Sequence, residues 1–398
     1  MHKGPLAGVK VLDLTRYVAG PFATKFLADM GAEVIKVEQP GEGDPTRQIG
    51  PFPSDIPHPE KSGLFLHLNT NKLSVTLNLQ APDGRAILKR LLQEVDVVVE
   101  NFAPGVMADW ELDYPHLKEM RPSLVMASIS NYGQDGPYRD YQGVDLTFQA
   151  LGGSMYAIGY RDGPPMKVWG YQAQYLSGAY ATVGIMTALV YRAATGRGRY
   201  VDAAIVETLP PTTSNWVSQY FHRGVINQRL GHRISAGGIY PWATLPCKDG
   251  YVWFRISRGG PEAVATLVGD PRLAAPELQE NPGAHADEID ELLIPWLMQQ
   301  EKRDFMARGQ ALRMPFSAVF TVDEVLADPD HKARGFFPEV DHPAVGRMTQ
   351  IHPPFRFSAT PGEIGRAPLL GEHNALIYRD RLGYSDADIT RLRTQGII

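Results

Sequence analysis

Few residues of this sequence have the type and spacing needed for metal or thiol chemistry. There is one cysteine among the 398 residues, Cys247, so neither an internal disulfide nor a CxxC metal pair can form. The C-terminal third contains His331, His342, His352 and His373, without HxxxH or HxH spacing. Paired histidine ligands usually depend on such spacing, and we therefore predict no metal site.

A second candidate for chemistry is the stretch QAQYLSG, residues 172 to 178, which precedes a long apolar helix predicted from Ser177 to Ala194. Its central residue, Gln174, carries an amide. Between Asp162 and Asp202 the sequence contains no Asp or Glu. Taken alone, Gln174 is typical of a polar residue that flanks a helix start. A reaction that needs a carboxylate here would have to take it from elsewhere in the chain.

The elements around these residues alternate between buried strands and amphipathic helices. Five apolar runs predict strands: GVKVLDL at 8–14, AEVIKVE at 32–38, LSVTLNL at 73–79, DVVVENF at 96–102 and LVMASIS at 124–130. Single helices connect several of them, and this pattern favours parallel pairing with right-handed crossovers. The predicted fold class is α/β, with a doubly wound sheet. Residues 225–325 change in character and predict a separate small α/β domain.

Composition excludes several classes of function. The 39 Lys and Arg residues against 44 Asp and Glu give a formal net charge of -5, which offers no broad cationic face for nucleic acid. No window approaches about 18 uninterrupted apolar residues, and no signal peptide pattern opens the sequence, so we expect neither membrane insertion nor secretion. A single cysteine fits a reducing cytoplasm.

Six motifs follow one another along the chain: PLAGVKVLDLT, AGPFATKFLADMGAEVIKVEQPGEGDPTR, VVVENFAPGVM, SISNYGQDGP, ALVYRAATGRGRYVDAAIVETL and APLLGEHN. In this order they resemble the class III CoA-transferases, the formyl-CoA transferase and carnitine CoA-transferase family. The resemblance implies a Rossmann-like large domain built from both chain ends, 1–224 and 326–398, a small domain at 225–325, and two subunits interlocked as rings. It also implies that a CoA thioester is a substrate, with no prosthetic group.

In this family an aspartate attacks the acyl thioester, and the position that it occupies falls on Gln174. An amide carries no negative charge and cannot form the acyl anhydride, so the nucleophile is missing from this chain. CoA is expected near the residues that match Val18, Leu77, Asn101 and Phe102. The family usually places a phosphate-binding arginine where this chain has Asp109, and this reversal of charge should weaken CoA binding.

The α-methylacyl-CoA racemases share the fold and use a histidine directly before an aspartate as a base. Here Val144 precedes Asp145, and the second racemase acid again falls on Gln174. Racemisation therefore lacks both of its bases.

Three hypotheses for the function remain open. The first is a structural, non-nucleophilic subunit of a heteromeric transferase of the benzylsuccinate CoA-transferase type, paired with an Asp-bearing paralogue and acting on an acyl-CoA and a carboxylic acid. The second is a self-sufficient homodimeric transferase, or another CoA-ester enzyme, with a relocated acid such as Glu207. The third is a non-enzymatic CoA-ester binding protein. The aromatic residues near the expected acyl site permit a bulky acid, but the sequence does not identify the substrate; they are Tyr156, Tyr160, Trp169, Tyr171 and Tyr175.

Overall fold

A computed structural model describes residues 4–234, 239–256 and 260–398. Two compact units are present. The first unit contains residues up to Gly153, then Val168–Ser214 and Asp330–Ile398, and the second contains Ser154–Lys167 and Asn215–Pro329. The predicted division ran at 225 and 325 and kept residues 154–167 in the large domain, whereas their contacts group them with the second unit. The predicted domain bounds, 1–224 with 326–398 and 225–325, stay a prediction.

The first unit is built on a six-stranded sheet in which every neighbouring pair is parallel. The strand order is β3-β2-β1-β4-β5-β6. The strands are β1 Lys10–Asp13, β2 Glu33–Glu38, β3 Leu73–Thr76, β4 Val97–Glu100, β5 Val125–Ser130 and β6 Tyr200–Ala204. This order is that of the dinucleotide-binding doubly wound fold, in which the direction of winding reverses between β1 and β4. The predicted α/β fold with a parallel sheet is confirmed.

Helices cover the sheet in the first unit and dominate the second. In chain order they are α1 Ala19–Asp29, α2 Gly63–Leu68, α3 Pro82–Leu92, α4 Val106–Asp109, α5 Tyr114–Met120, α6 Asp145–Leu151, α7 Gln172–Thr195, α8 Ser214–Arg223, α9 Gly260–Val268, α10 Pro276–Glu280, α11 Ala286–Leu297, α12 Lys302–Ala311, α13 Val322–Ala327, α14 Pro329–Ala333 and α15 Asp386–Thr394, with a π-helix at Ala375–Arg381. Within the described ranges, no helix combines the length and apolarity needed to cross a bilayer.

The strands are apolar on both faces because helices pack on both sides of the sheet. Leu12 and Val98 point to a core shared with α3, and Val11, Val97 and Val99 point to a core shared with α1 and α7. The period-two alternation of these side chains explains why each strand reads as a continuous apolar run.

Helices α1 and α7 approach closely at Gly178. A Cβ atom at this position would lie 2.6 Å from the carbonyl oxygen of Ala19, so only glycine allows the observed distance between the helices. One turn later, the Thr182 hydroxyl donates to the Ala23 carbonyl at 3.3 Å. This packing fixes the position of the first turn of α7 relative to the sheet.

The predicted start of α7 is wrong. The helix begins at Gln172, five residues before the predicted Ser177, so Gln174 lies inside its first turn. The backbone N–H of Gln174 donates to the carboxylate of Asp145, 29 positions away in sequence. Local sequence signals could not reveal this acceptor, because it comes from another helix.

The second unit has its own core. A three-stranded antiparallel sheet contains β7 Trp242–Cys247, β8 Gly250–Arg255 and β9 Ser317–Ala318. Phe254, Phe305 and Phe316 pack together beneath it, with ring centroids 4.5 to 5.2 Å apart. A separate antiparallel hairpin, β10 Glu339–His342 and β11 Gly346–Thr349, belongs to the first unit.

Candidate active site

A cavity of about 680 Å³ opens in the first unit at the carboxyl ends of the strands. Its walls include Ala19 after β1, Asn101 after β4, Ser130 at the end of β5 and Ile205 after β6. Strands β1 and β4 are the neighbours between which the winding reverses, and doubly wound sheets bind ligands in the crevice at that point. The volume lies in the range of small-molecule sites.

The turn after β1 enters the cavity and is held by a buried ionic network. Tyr17 adopts a left-handed conformation, with φ of 65°, before α1 begins. Just upstream, the buried Asp13 carboxylate accepts hydrogen bonds from the Thr15 and Thr24 hydroxyls and from Lys72 Nζ at 3.0 Å. Burial disfavours the charge on Asp13, but the cations Lys72 and Lys36 outweigh it and lower its pKa to about 2. The network therefore keeps the turn in one geometry.

Asn101, which follows β4, fixes the same turn. Its Oδ1 accepts from the Arg16 N–H at 2.8 Å, and its Nδ2 donates to the Arg16 carbonyl at 2.7 Å. The Arg16 guanidinium lies over the ring of Phe102, 5.1 Å from the centroid. Both Asn101 and Phe102 line the cavity, as does Val18, which is 2% exposed and forms the N-cap of α1.

Gln174 also lines the cavity and is half-buried in the first turn of α7. Next to it lies Asp145, the first residue of α6, which is 6% exposed. Asp145 Oδ1 accepts the Gln174 N–H at 3.2 Å, and Oδ2 accepts from the Gln149 amide at 2.6 Å. Gln149 in turn contacts both the N–H and the carbonyl of Val168. The carboxylate thus anchors the helix start and the chain that leads into it.

Sequence reasoning missed this role of Asp145. The sequence shows the i, i+4 spacing of Asp145 and Gln149, which permits a side-chain contact on one helix face. Nothing in the sequence shows that α6 and the first turn of α7 meet. Cavity residues Tyr17, Arg139 and Tyr141 were also not predicted.

Other predicted site residues lie elsewhere. Leu77 is 1% exposed and packs in the core next to α3. Asp109 is the exposed last residue of α4. Glu207 is exposed on a 3-10 turn at Val206–Thr208, and the cavity-lining residue nearest to it in sequence is Ile205. The part of each residue in binding stays a prediction.

The aromatic residues near Gln174 divide between packing and exposure. Tyr171 lines the cavity, and Tyr175 packs against Phe22 with ring centroids 4.8 Å apart. Trp169 is 87% exposed. Of these three residues, Tyr171 contributes to the cavity wall.

The charges that line the cavity nearly cancel. Arg139 Nε lies 3.3 Å from the Asp140 carboxylate, in a pair with exposed side chains, and Asp145 is the third charged residue of the lining. Across the described ranges, no group of three or more His, Cys, Asp or Glu side chains is placed to hold a metal ion.

A second, smaller cavity of about 400 Å³ contains Glu100, the last residue of β4, together with Ser128 and Tyr200. Glu100 is 3% exposed. Burial raises its pKa to about 7, although bonds from Ser128 and from the Phe102 N–H favour the charged form. The Phe102 N–H donates to Glu100 Oε2 at 2.8 Å, so this acid helps to hold the chain that leads from β4 into the cavity wall.

The chain matches CoA-transferase family III over residues 6–374 and belongs to that family. It is 33% identical over 405 residues to the succinyl-CoA–D-citramalate CoA-transferase of Chloroflexus aurantiacus, covering 99% of this chain and 98% of that protein. It is also 33% identical over 406 residues to the succinyl-CoA–L-malate CoA-transferase beta subunit of the same organism, covering 99% and 98%. The family membership predicted from the six motifs is confirmed.

A solved structure supports the same assignment. A CAIB/BAIF family protein from Brucella suis superimposes with a TM-score of 0.84 at 33% identity, covering 95% of this chain and 99% of that chain. The predicted family fold is therefore confirmed at the level of the single chain.

Proposed function

We propose that this chain is the non-nucleophilic subunit of a heteromeric class III CoA-transferase, paired with a paralogue that carries the catalytic aspartate. The observation that carries the proposal is the residue at position 174. The first turn of α7 presents an uncharged amide to the cavity, at the position where the family resemblance implies the attacking carboxylate. An amide nitrogen and a neutral carbonyl oxygen are poor nucleophiles at neutral pH.

The neighbouring acid, Asp145, has a structural role that disfavours it as a replacement for the missing carboxylate. Both Asp145 oxygens already accept hydrogen bonds, one from the first turn of α7 and one from Gln149. Asp145 is 94% buried by area, and both bonds stabilise its negative charge, which lowers the reactivity of the carboxylate toward a thioester.

In the proposed assembly the acyl exchange takes place on the partner. The aspartate of the partner attacks the acyl carbon of the donor thioester and expels CoA thiolate. The aspartate and the acyl group are then joined as a mixed anhydride. The thiolate then attacks the aspartyl carbonyl and releases the first acid, and the second acid takes CoA from the enzyme thioester by the reverse steps. Each step exchanges one oxygen or sulfur leaving group, so no external oxidant or metal is needed.

An exposed apolar face of α7 supports a requirement for a partner chain. Tyr180, Val183 and Val190 project from this helix with 45%, 62% and 68% of their surface exposed. Apolar groups at this spacing share one side of a helix, and an exposed apolar face marks an interaction surface. A threaded, interlocked pair of subunits would bury such a face, and each chain would then depend on the other for stability.

The similarity to a relative named as a beta subunit supports a heteromer. The specific observation that favours the second candidate, a self-sufficient enzyme with a relocated acid, is that Asp145 lines the same cavity as Gln174. The exposed Glu207 lacks that placement. A cytoplasmic location stays a prediction.

Co-expression tests the proposal. The chain is produced alone and together with a family III paralogue that has Asp at the position of Gln174, and CoA transfer from succinyl-CoA to a panel of dicarboxylates is measured. We expect a one-to-one complex whose activity disappears when the aspartate of the paralogue is changed to Ala. Activity should persist in a complex with Gln174→Ala.

Gln142→Ala, a second cavity glutamine, is the matched control for the loss of a polar side chain. Full transferase activity of the chain purified alone would contradict the proposal. Binding of a CoA ester by the lone chain, with no turnover with or without paralogues, would instead support the non-enzymatic alternative.

A further inference from the structure

A CoA ester carries a diphosphate and a 3′-phosphate, so its nucleotide end needs a cation at the site that binds it. The cavity wall supplies little positive charge. Its one arginine, Arg139, is paired with Asp140 at 3.3 Å, and Asp145 adds a buried negative charge. Asp109, where the family resemblance implies a phosphate-binding arginine, adds another negative charge to α4. If this chain binds the ester, a different cation must meet the phosphates.

Arg16 is the candidate for this cation, because its guanidinium lies over the cavity residue Phe102. It is exposed and immediately precedes the cavity residue Tyr17. No carboxylate within the described ranges lies close enough to form an ion pair with it, so its charge is not neutralised by the protein. By contrast, Arg139 already has its acidic partner.

Contacts with Asn101 and Phe102 hold Arg16 in place before a ligand binds. Asn101 clamps its backbone through two hydrogen bonds, of 2.8 and 2.7 Å, and these cross from the end of β4 to the turn after β1. The guanidinium lies over the Phe102 ring, 5.1 Å from its centroid, and that ring packs against Trp110 with 5.2 Å between centroids. A guanidinium held over a ring can still donate its N–H groups to phosphate oxygens.

We propose that Arg16 is the phosphate-binding residue of the CoA-ester site in this chain and takes over the task that Asp109 cannot perform. This inference rests on the proposed function in one respect, that the ligand is a CoA ester. It predicts that the non-nucleophilic chain retains a nucleotide-binding site, with Asn101 and Phe102 as positioning residues for the arginine.

Calorimetric titration of the purified full-length chain with CoA, and separately with adenosine 3′,5′-bisphosphate, tests the proposal. We expect Arg16→Ala to weaken the binding of both ligands by roughly tenfold, as for the loss of one charge-assisted phosphate contact. Arg16→Lys should restore part of the affinity, because it keeps the charge and loses the paired geometry. Raising the salt concentration should weaken the wild type more than Arg16→Ala.

Arg393→Ala, an exposed arginine on α15, is the matched control and should leave binding unchanged. Thermal melts of each variant check that the fold is intact. Equal affinities for wild type and Arg16→Ala would overturn the proposal, and so would failure of the wild type to bind CoA at millimolar concentration. Neither result would bear on the missing nucleophile, which the transfer assay tests separately.

Discussion

Replacing Asp145 by Asn should destabilise the first turn of α7 without changing the size of the side chain. The carboxylate accepts one bond from the Gln174 N–H at 3.2 Å and one from the Gln149 amide at 2.6 Å. An asparagine has one carbonyl oxygen, and its NH₂ group would face the other donor. One buried donor is therefore left without an acceptor, and the negative charge near the N-terminus of a 24-residue helix is lost.

Two losses destabilise this variant, the charge-assisted bond and the negative charge near the helix N-terminus. Removal of a buried charge offsets part of them, so we expect the free energy of unfolding to decrease by about 2 kcal/mol. Urea unfolding followed by circular dichroism measures this decrease. Hydrogen exchange measured by mass spectrometry gives a local readout, because peptides that cover residues 172–178 should exchange faster in Asp145→Asn.

The control is Asp140→Asn, which removes an acid from the same cavity. Asp140 is 77% exposed and pairs with Arg139 at 3.3 Å, so the expected change in the free energy of unfolding is below about 0.5 kcal/mol. Equal stability losses in the two variants, or unchanged exchange at 172–178 in Asp145→Asn, would refute the claim that Asp145 anchors the helix start.

Two further predictions concern buried charges near the cavity. Folded Glu100 keeps its proton up to about pH 7, whereas its reference pKa is 4.5, so the unfolded state loses that proton first and stability falls as the pH rises between these values. Glu100→Gln should match the wild type near pH 4 and exceed its free energy of unfolding by up to about 3 kcal/mol at pH 8; an unchanged pH profile of urea unfolding would contradict this. Lys72→Met leaves the buried Asp13 carboxylate without its ion-pair partner and should lower the free energy of unfolding by about 3–5 kcal/mol. The control is Lys89→Met, which removes an exposed 3.5 Å pair with Glu111 and should change stability little. Comparable losses of stability in thermal melts of the two variants would show that the buried network is dispensable.

The strands of the large sheet could be predicted because each is buried on both faces and therefore reads as an apolar run. Val97, Val98 and Val99 are all fully buried, and no polar alternation interrupts them. The parallel pairing followed from the helices between strands. The order β3-β2-β1-β4-β5-β6 did not follow from any single segment, because it depends on where each crossover returns.

The site could be predicted where it follows a strand end and could not where it depends on contacts between distant elements. The family motifs pointed to Val18, Asn101 and Phe102, and these residues do line one cavity. The clamp from Asn101 to Arg16 spans 85 positions. Asp145 meets Gln174 only because α6 and α7 pack together. Such long-range hydrogen bonds leave no local pattern in the sequence.

The first turn of α7 holds Gln174 at the cavity, and a covalent trapping experiment tests whether this chain has a nucleophile. The purified chain is incubated with succinyl-CoA, treated with borohydride or hydroxylamine, and measured as an intact mass, with an Asp-bearing paralogue treated in parallel. We expect the paralogue to become heavier with hydroxylamine, which converts the activated carboxyl group to a hydroxamate, and lighter with borohydride, which reduces it to an alcohol. This chain should keep its unmodified mass with both reagents. A stoichiometric adduct on this chain, mapped by peptide sequencing to Asp145 or any other acid, would show that it carries its own nucleophile.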